Sequence, residues 1–278
     1  MKKLKEYFYQ DIGIILCIIF FICFVITVDI VRPYLDGTRW YLFSSAQRTI
    51  FGLIELFIFI KVFHKKGWKD VIHFKHFKSA ILAGTGVVLY TVLNAAFISL
   101  GAVSLKNATF ALLFSRLICQ QLTTGFWEEL TFRAFVLEGY FKKKNRNWLC
   151  RLVYAVISFM LFGLPHAIEY NDFGKAMYRL MITGAFGFIY AAIYMYSHNI
   201  FAPMLLHFIY DIPANFYSFV DSWDTESNLI IVLDNYGFTV AFILMMIVSF
   251  IFVIKKPVYE NESKTLSDNG RSEVCAIK

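Results

Sequence analysis

About eight blocks of mainly apolar residues, most of them long enough to cross a bilayer, leave this chain little choice of fold. A spanning helix needs about 20 such residues. Lipid offers no partner for backbone polar groups, so only helices and closed barrels cross it. The blocks cover residues 12–31, 49–63, 79–100, 110–141, 148–168, 177–197, 200–219 and 229–254. They predict an all-α, polytopic transmembrane bundle. With 58% hydrophobic and 17% charged residues, the chain is more apolar than an ordinary soluble domain, which runs near half and a quarter. The block at 49–63 is the weakest, being short and carrying Glu55 and Lys61. The block at 110–141 exceeds one span and is expected to bend at Thr123, Thr124 and Gly125 or to run on past the membrane surface. The first block follows Lys2, Lys3 and Lys5 as a signal peptide would. It is too long for a signal core and lacks a small-residue cleavage site, so it reads as a retained helix.

The net charge of +7 lies mostly between the apolar blocks, which points to topology and not to nucleic acid. Lys65, Lys66, Lys69, Lys75 and Lys78 fill the second connection. Lys142, Lys143, Lys144, Arg146 and Arg151 fill the fourth, and Lys255 and Lys256 follow the last block. The seventh connection is acidic, with Asp221, Asp224 and Glu226. Eight spans with both termini in the cytoplasm follow, in a multi-pass protein of the plasma membrane. Arg32, Arg39 and Arg48, assigned to the first connection, fit this pattern less well. The chain divides into N-terminal helices (1–106), a central core (107–219), a last helix (220–256) and a polar, disordered cytoplasmic tail (257–278). The five cysteines, at 17, 23, 119, 150 and 275, form no C-x-x-C pair and suggest neither disulfides nor a zinc ribbon. The last four residues, from Cys275, fit the loose C-a-a-X pattern, which is too short to carry weight.

A charge at the centre of a spanning helix costs about 2.5–3.5 kcal/mol on insertion scales, so intramembrane ionisable groups are functional candidates. Glu129 and Arg133 are four apart and share a helix face, where they neutralise each other. Glu128 points about 100° away and stays available. His166 follows Pro165, and His207 and Asp211 again lie four apart. Counting residues from the nearest lysine-rich end puts Glu128 and His166 at a common depth, with His207 shallower and Asp211 close to both. A shared cavity open to the cytoplasm is expected. His64, His73 and His76 read as surface residues and His198 as interfacial. Asp29 and Glu55 receive no role.

Glu128-Glu129-x-x-x-Arg133, Phe162-x-x-x-His166 and His207-x-x-x-Asp211, with the run from Asn199 to Pro203, resemble the three motifs of the CPBP family of intramembrane proteases. This family comprises CAAX proteases and bacteriocin-processing enzymes and is also called the Abi family. The resemblance spans about residues 107–219. It implies hydrolysis of a peptide bond, with Glu128 activating the attacking water and His166 helping to position it. It places His207 in the same site and makes the residue four later the oxyanion partner. It also implies a peptide or lipidated protein as substrate beside membrane lipid, with links to bacteriocin immunity.

The family pattern ends in Asn where this chain has Asp211. A neutral acid can donate a hydrogen bond as Asn does. An ionised one cannot, and would instead orient His207 or join a metal. Glu128, His166, His207 and Asp211 could ligate zinc or another divalent ion as a metalloprotease would, or work without one. Two rival classes remain: a non-catalytic immunity protein that binds a peptide, and an ion- or proton-coupled transporter, which would favour inverted repeats the sequence does not display.

Overall fold

The computed structural model describes residues 2–64, 71–143, 146–224 and 226–260, with side chains from residue 12 onward. The predicted tail from 261, Cys275 with it, and the lysines at 65, 66, 69 and 144 lie outside the described residues.

Helix α1 (Lys2–Val31) leads through a short 3₁₀ turn into α2 (Gly37–Phe63). Helices α3 (Phe77–Ala83) and α4 (Thr85–Gly101) form one apolar stretch bent by 58°. The long central block is a single helical run: α5 (Phe110–Phe114), α6 (Gln121–Glu129) and α7 (Val136–Phe141), joined by π-helical turns at Ser115–Gln120 and Leu130–Phe135. Helices α8 (Trp148–Ala167), α9 (Phe173–Ser197) and α10 (Phe201–Phe216) follow, and α11 (Asn228–Val232) runs through another π turn into α12 (Phe238–Ile254).

The expected bend at Thr123–Gly125 is not there. Those residues lie inside regular α6, and the irregular turns sit on either side. Such π turns insert one residue per turn and re-aim the side chains beside them. The all-α expectation holds for nearly the whole described chain. The exception is a two-stranded antiparallel ribbon, β1 (Ala102–Leu105) with β2 (Val220–Trp223). It ties together the segments that flank the predicted core.

Four helical stretches are long and apolar enough to cross a membrane: Ile12–Tyr34, Trp148–Ala167, Phe173–Ser197 and Asn228–Ile254. The bent pair α3–α4 makes a fifth. Eight spans were expected; by length and composition the described residues supply four, or five with the bent pair. Helix α2 carries Arg39, Arg48, Glu55 and Lys61 and is not among the four. Helix α10 has only 16 residues.

Helix α9 is the centre of the bundle, with 83% of its most apolar window buried, against 11% for α1 and 17% for α12. The exposed faces of α1, α2, α4, α8 and α12 are dominated by large apolar side chains such as Ile26, Leu53, Leu89, Val153 and Ile247. In water, apolar exposure on this scale would drive association. In a bilayer it faces acyl chains.

The half of the bundle that bears the lysine-rich ends is solid. Phe59, Phe135, Leu137, Tyr140, Ile189, Ile193 and Met195 fill it and are all but fully buried. At that end Lys142 donates to the carbonyl of Phe63, and Arg151 donates to the carbonyls of Val253 and Ile254. These are carbonyls that a helix end would otherwise leave unpaired. His64, His73 and His76, expected at the surface, and His198, expected at the interface, lie at this end too, each partly buried. His64 lies 3.4 Å from Glu138.

Candidate active site

Helices α6 and α10 cross in close contact, and the sequence permits this at Gly125. A Cβ there would lie 2.9 Å from the Met204 carbonyl oxygen and 3.3 Å from the Phe208 nitrogen. The approach brings the end of α6, with Glu128 and Glu129, against His207. On α10, Asn199 fixes the starting level: it is 1% exposed, and its side-chain amide donates to the carbonyls of His73 and Lys75. Its side-chain oxygen accepts from Ala202 N at the head of the helix. Because α10 begins inside the protein, His207 reaches the depth of Glu128 and is not shallower, as counting from the sequence implied.

His207 is the hub. Its Nδ1–H donates to Glu129 Oε1 at 2.8 Å. Its Nε2 lies 3.6 Å from Glu128 Oε2 and 3.5 Å from Asp211 Oδ2. An imidazole carrying both protons serves all three carboxylates, since only the protonated ring donates from both nitrogens. Tyr190 stacks on the ring, with centroids 5.2 Å apart, and Phe162 meets it edge-on.

The expected Glu129–Arg133 pair is present, at 3.1 Å with both side chains fully buried. Glu129 therefore holds two cationic groups, Arg133 and His207. The Arg133 guanidinium lies between aromatic faces, 4.1 Å from the Phe162 ring centre and 5.2 Å from that of Tyr190. Arg prefers such planar stacking more than Lys does.

Glu128, His166, His207 and Asp211 line one cavity of about 330 Å³, together with Arg48, Gln120, Thr124 and Arg179. A second, more apolar cavity of about 880 Å³ runs along α1 past Phe21, Ile22, Val25 and Ile26. Glu128, His166, Arg48 and Gln120 line both. The structure thus brings all the expected site residues together: Glu128, His166, His207 and Asp211 on the cavity wall, with Glu129 and Arg133 packed behind His207.

Two expectations need correction here. The cavity was expected to open toward the lysine-rich ends. It runs the other way, out to the exposed Asp29, Arg32, Ile168 and Glu169, because the lysine-rich half is filled with side chains. Asp29 accordingly stands at the mouth of the second cavity. Glu55, given no role, is 0% exposed and accepts from Trp127 Nε1 at 2.8 Å and Thr131 Oγ1 at 2.7 Å. It clamps α2 to the helix that carries Glu128. The signal was available, since an acid amid an apolar block is costly unless it is bonded.

A metal held by Glu128, His166, His207 and Asp211 has no geometric counterpart. Among the described residues, no group of three or more His, Cys, Asp or Glu side chains is placed to hold an ion.

Residues 109–213 match the family described as Rce1-like, type II CAAX prenyl endopeptidase Rce1-like. The match covers less than half of the chain and contains all three motifs. No curated protein matches, and no solved structure does.

Proposed function

We propose that this chain is an intramembrane endopeptidase that hydrolyses a peptide bond in a membrane-associated or prenylated peptide, using water activated by Glu128. The observation that carries the reading is the meeting of Glu128, His166, His207 and Asp211 on one buried cavity inside the Rce1-like region. Water is a poor nucleophile until a base removes its proton. Glu128 is the base. It takes one proton as the water oxygen attacks the carbonyl carbon, and it returns that proton to the amine as the peptide bond breaks. His166, across the same cavity, holds the water in line. His207, fixed by Glu129, offsets the charge of the surrounding carboxylates.

For Asp211, the 3.5 Å approach to His207 supports the ionised reading, in which the carboxylate orients the ring. These steps use only water and protein groups. The apolar second cavity fits the hydrocarbon portion of a lipidated or membrane-bound substrate.

We place the protein in the plasma membrane. The family resemblance also allows a part in bacteriocin processing or self-immunity. Cleavage of a farnesylated C-a-a-X peptide by the purified protein, compared with Glu128→Gln, tests the reading. Equal cleavage by both forms would end it. A peptide-binding immunity protein would instead protect cells equally well with Glu128→Gln in place.

A further inference from the structure

The sequence placed Arg48 in a connection between spans. The structure puts it three turns inside α2, on the wall shared by both cavities, alongside Glu128 and His166. We propose that Arg48, which lies outside the region matched to the family, is a catalytic residue that donates hydrogen bonds to the oxyanion formed during hydrolysis. This rests on the hydrolase reading above.

Three observations support it. The first is a missing donor: the resemblance gives the oxyanion task to an Asn at the position of Asp211, and a carboxylate paired with His207 donates nothing. The tetrahedral species needs a donor from elsewhere, and such donors are worth a great deal in a site shielded from water.

The second is the way Arg48 is held. Its Nη1 donates to the Ser44 hydroxyl and more weakly to the Ser44 carbonyl. Ser44 is fully buried and also accepts from Gln120, another residue on both cavity walls. The guanidinium lies over the Phe24 ring, 5.2 Å from its centre. One edge is thereby fixed, and the buried Nε–H has no hydrogen-bond partner among the described residues. The Nη2 edge makes no hydrogen bond among the described residues and is the edge left to meet an oxygen in the cavity.

The third is charge. Glu128, Glu129 and Asp211 converge on the site, while Arg133 and His207 are already engaged with them. Arg48 lines the same cavity as both Glu128 and Asp211. Arg179 also lines the first cavity, but only Arg48 of the two stands on the wall shared by both cavities with Glu128 and His166, where it offsets a negative oxygen forming beside those acids.

The test measures cleavage of a farnesylated C-a-a-X peptide by the full-length protein in proteoliposomes. Arg48→Gln should lower kcat by about 100-fold or more, the scale of losing an oxyanion donor, with little change in KM. Arg48→Lys, which keeps the charge but loses the planar fork, should recover part of the loss. Wild-type kcat in Arg48→Gln, or a loss that appears in KM with kcat unchanged, overturns the inference. Unmodified protein showing no Glu128-dependent cleavage overturns the hydrolase reading and this inference with it.

Discussion

At the scale of single residues, the site separates groups that face the cavity from groups that hold them. Glu128, His166 and His207 line it, so Glu128→Gln, His166→Ala and His207→Ala should each remove cleavage without removing the protein from the membrane. Loss of a general base alone costs about 10²–10⁴-fold. The check is turnover normalised to membrane-inserted protein. Arg133 faces no cavity and should behave differently. It is fully buried between Phe162 and Tyr190 with Glu129 as its partner. Arg133→Ala leaves Glu129 with His207 alone and empties the space between two rings; it should cost up to about 3–5 kcal/mol, the scale of breaking a buried pair. Abundance should therefore fall together with activity. Normal abundance with lost activity would instead place Arg133 in the chemistry.

At the scale of elements, the sequence located the helices that carry the site but not the devices that aim them. The pairs Glu129–Arg133 and His207–Asp211 were legible because a four-residue spacing puts side chains on one face. The level of His207 was not, because it depends on Asn199 reaching the carbonyls of His73 and Lys75 across more than 120 residues of chain. The π turn at Leu130–Phe135 was equally hidden, since its residues have ordinary helical composition. The ribbon of β1 and β2 arises from pairing across the whole core and leaves no local period to read.

Glu55 shows the same limit from the other side: its oddity was visible, its partners were not. Glu55→Ala leaves the Trp127 indole donor unpaired in the interior, while the Thr131 hydroxyl keeps the Trp127 carbonyl. At about 1–3 kcal/mol for an orphaned group, the detergent-solubilised protein should melt a few degrees lower. Glu55→Gln keeps an acceptor and should lose less. A melting temperature unchanged in Glu55→Ala would show that this clamp does not hold α2 to α6.

At the scale of the whole molecule, the charge pattern and the cavity point in opposite directions. Lysines and arginines cluster at the ends bearing Lys142, Lys143, Arg146, Arg151, Lys255 and Lys256, which the positive-inside rule assigns to the cytoplasm. The packed layer around Phe135, Tyr140 and Ile193 closes that half. Both cavities leave Glu128 toward the other ends, where Asp29, Arg32, Arg179 and Glu169 lie. If both hold, the site is reached from outside the cell, and its substrates come from the outer leaflet or from exported peptides.

Reporter fusions should place Lys143 in the cytoplasm and Asp36 and Asp224 outside. A cytoplasmic signal at Asp224 would reverse the orientation. Access itself is read by cysteine labelling. Ile168 lines the second cavity and is 77% exposed. With the native cysteines replaced, Ile168→Cys should react in intact cells with a maleimide that does not cross membranes. Lys255→Cys, at the opposite end, should react only after permeabilisation. Neither measurement requires the protein to be active, so the orientation is tested apart from the chemistry. Labelling of Ile168→Cys only after permeabilisation would turn the cavity toward the cytoplasm and break the positive-inside rule for this chain.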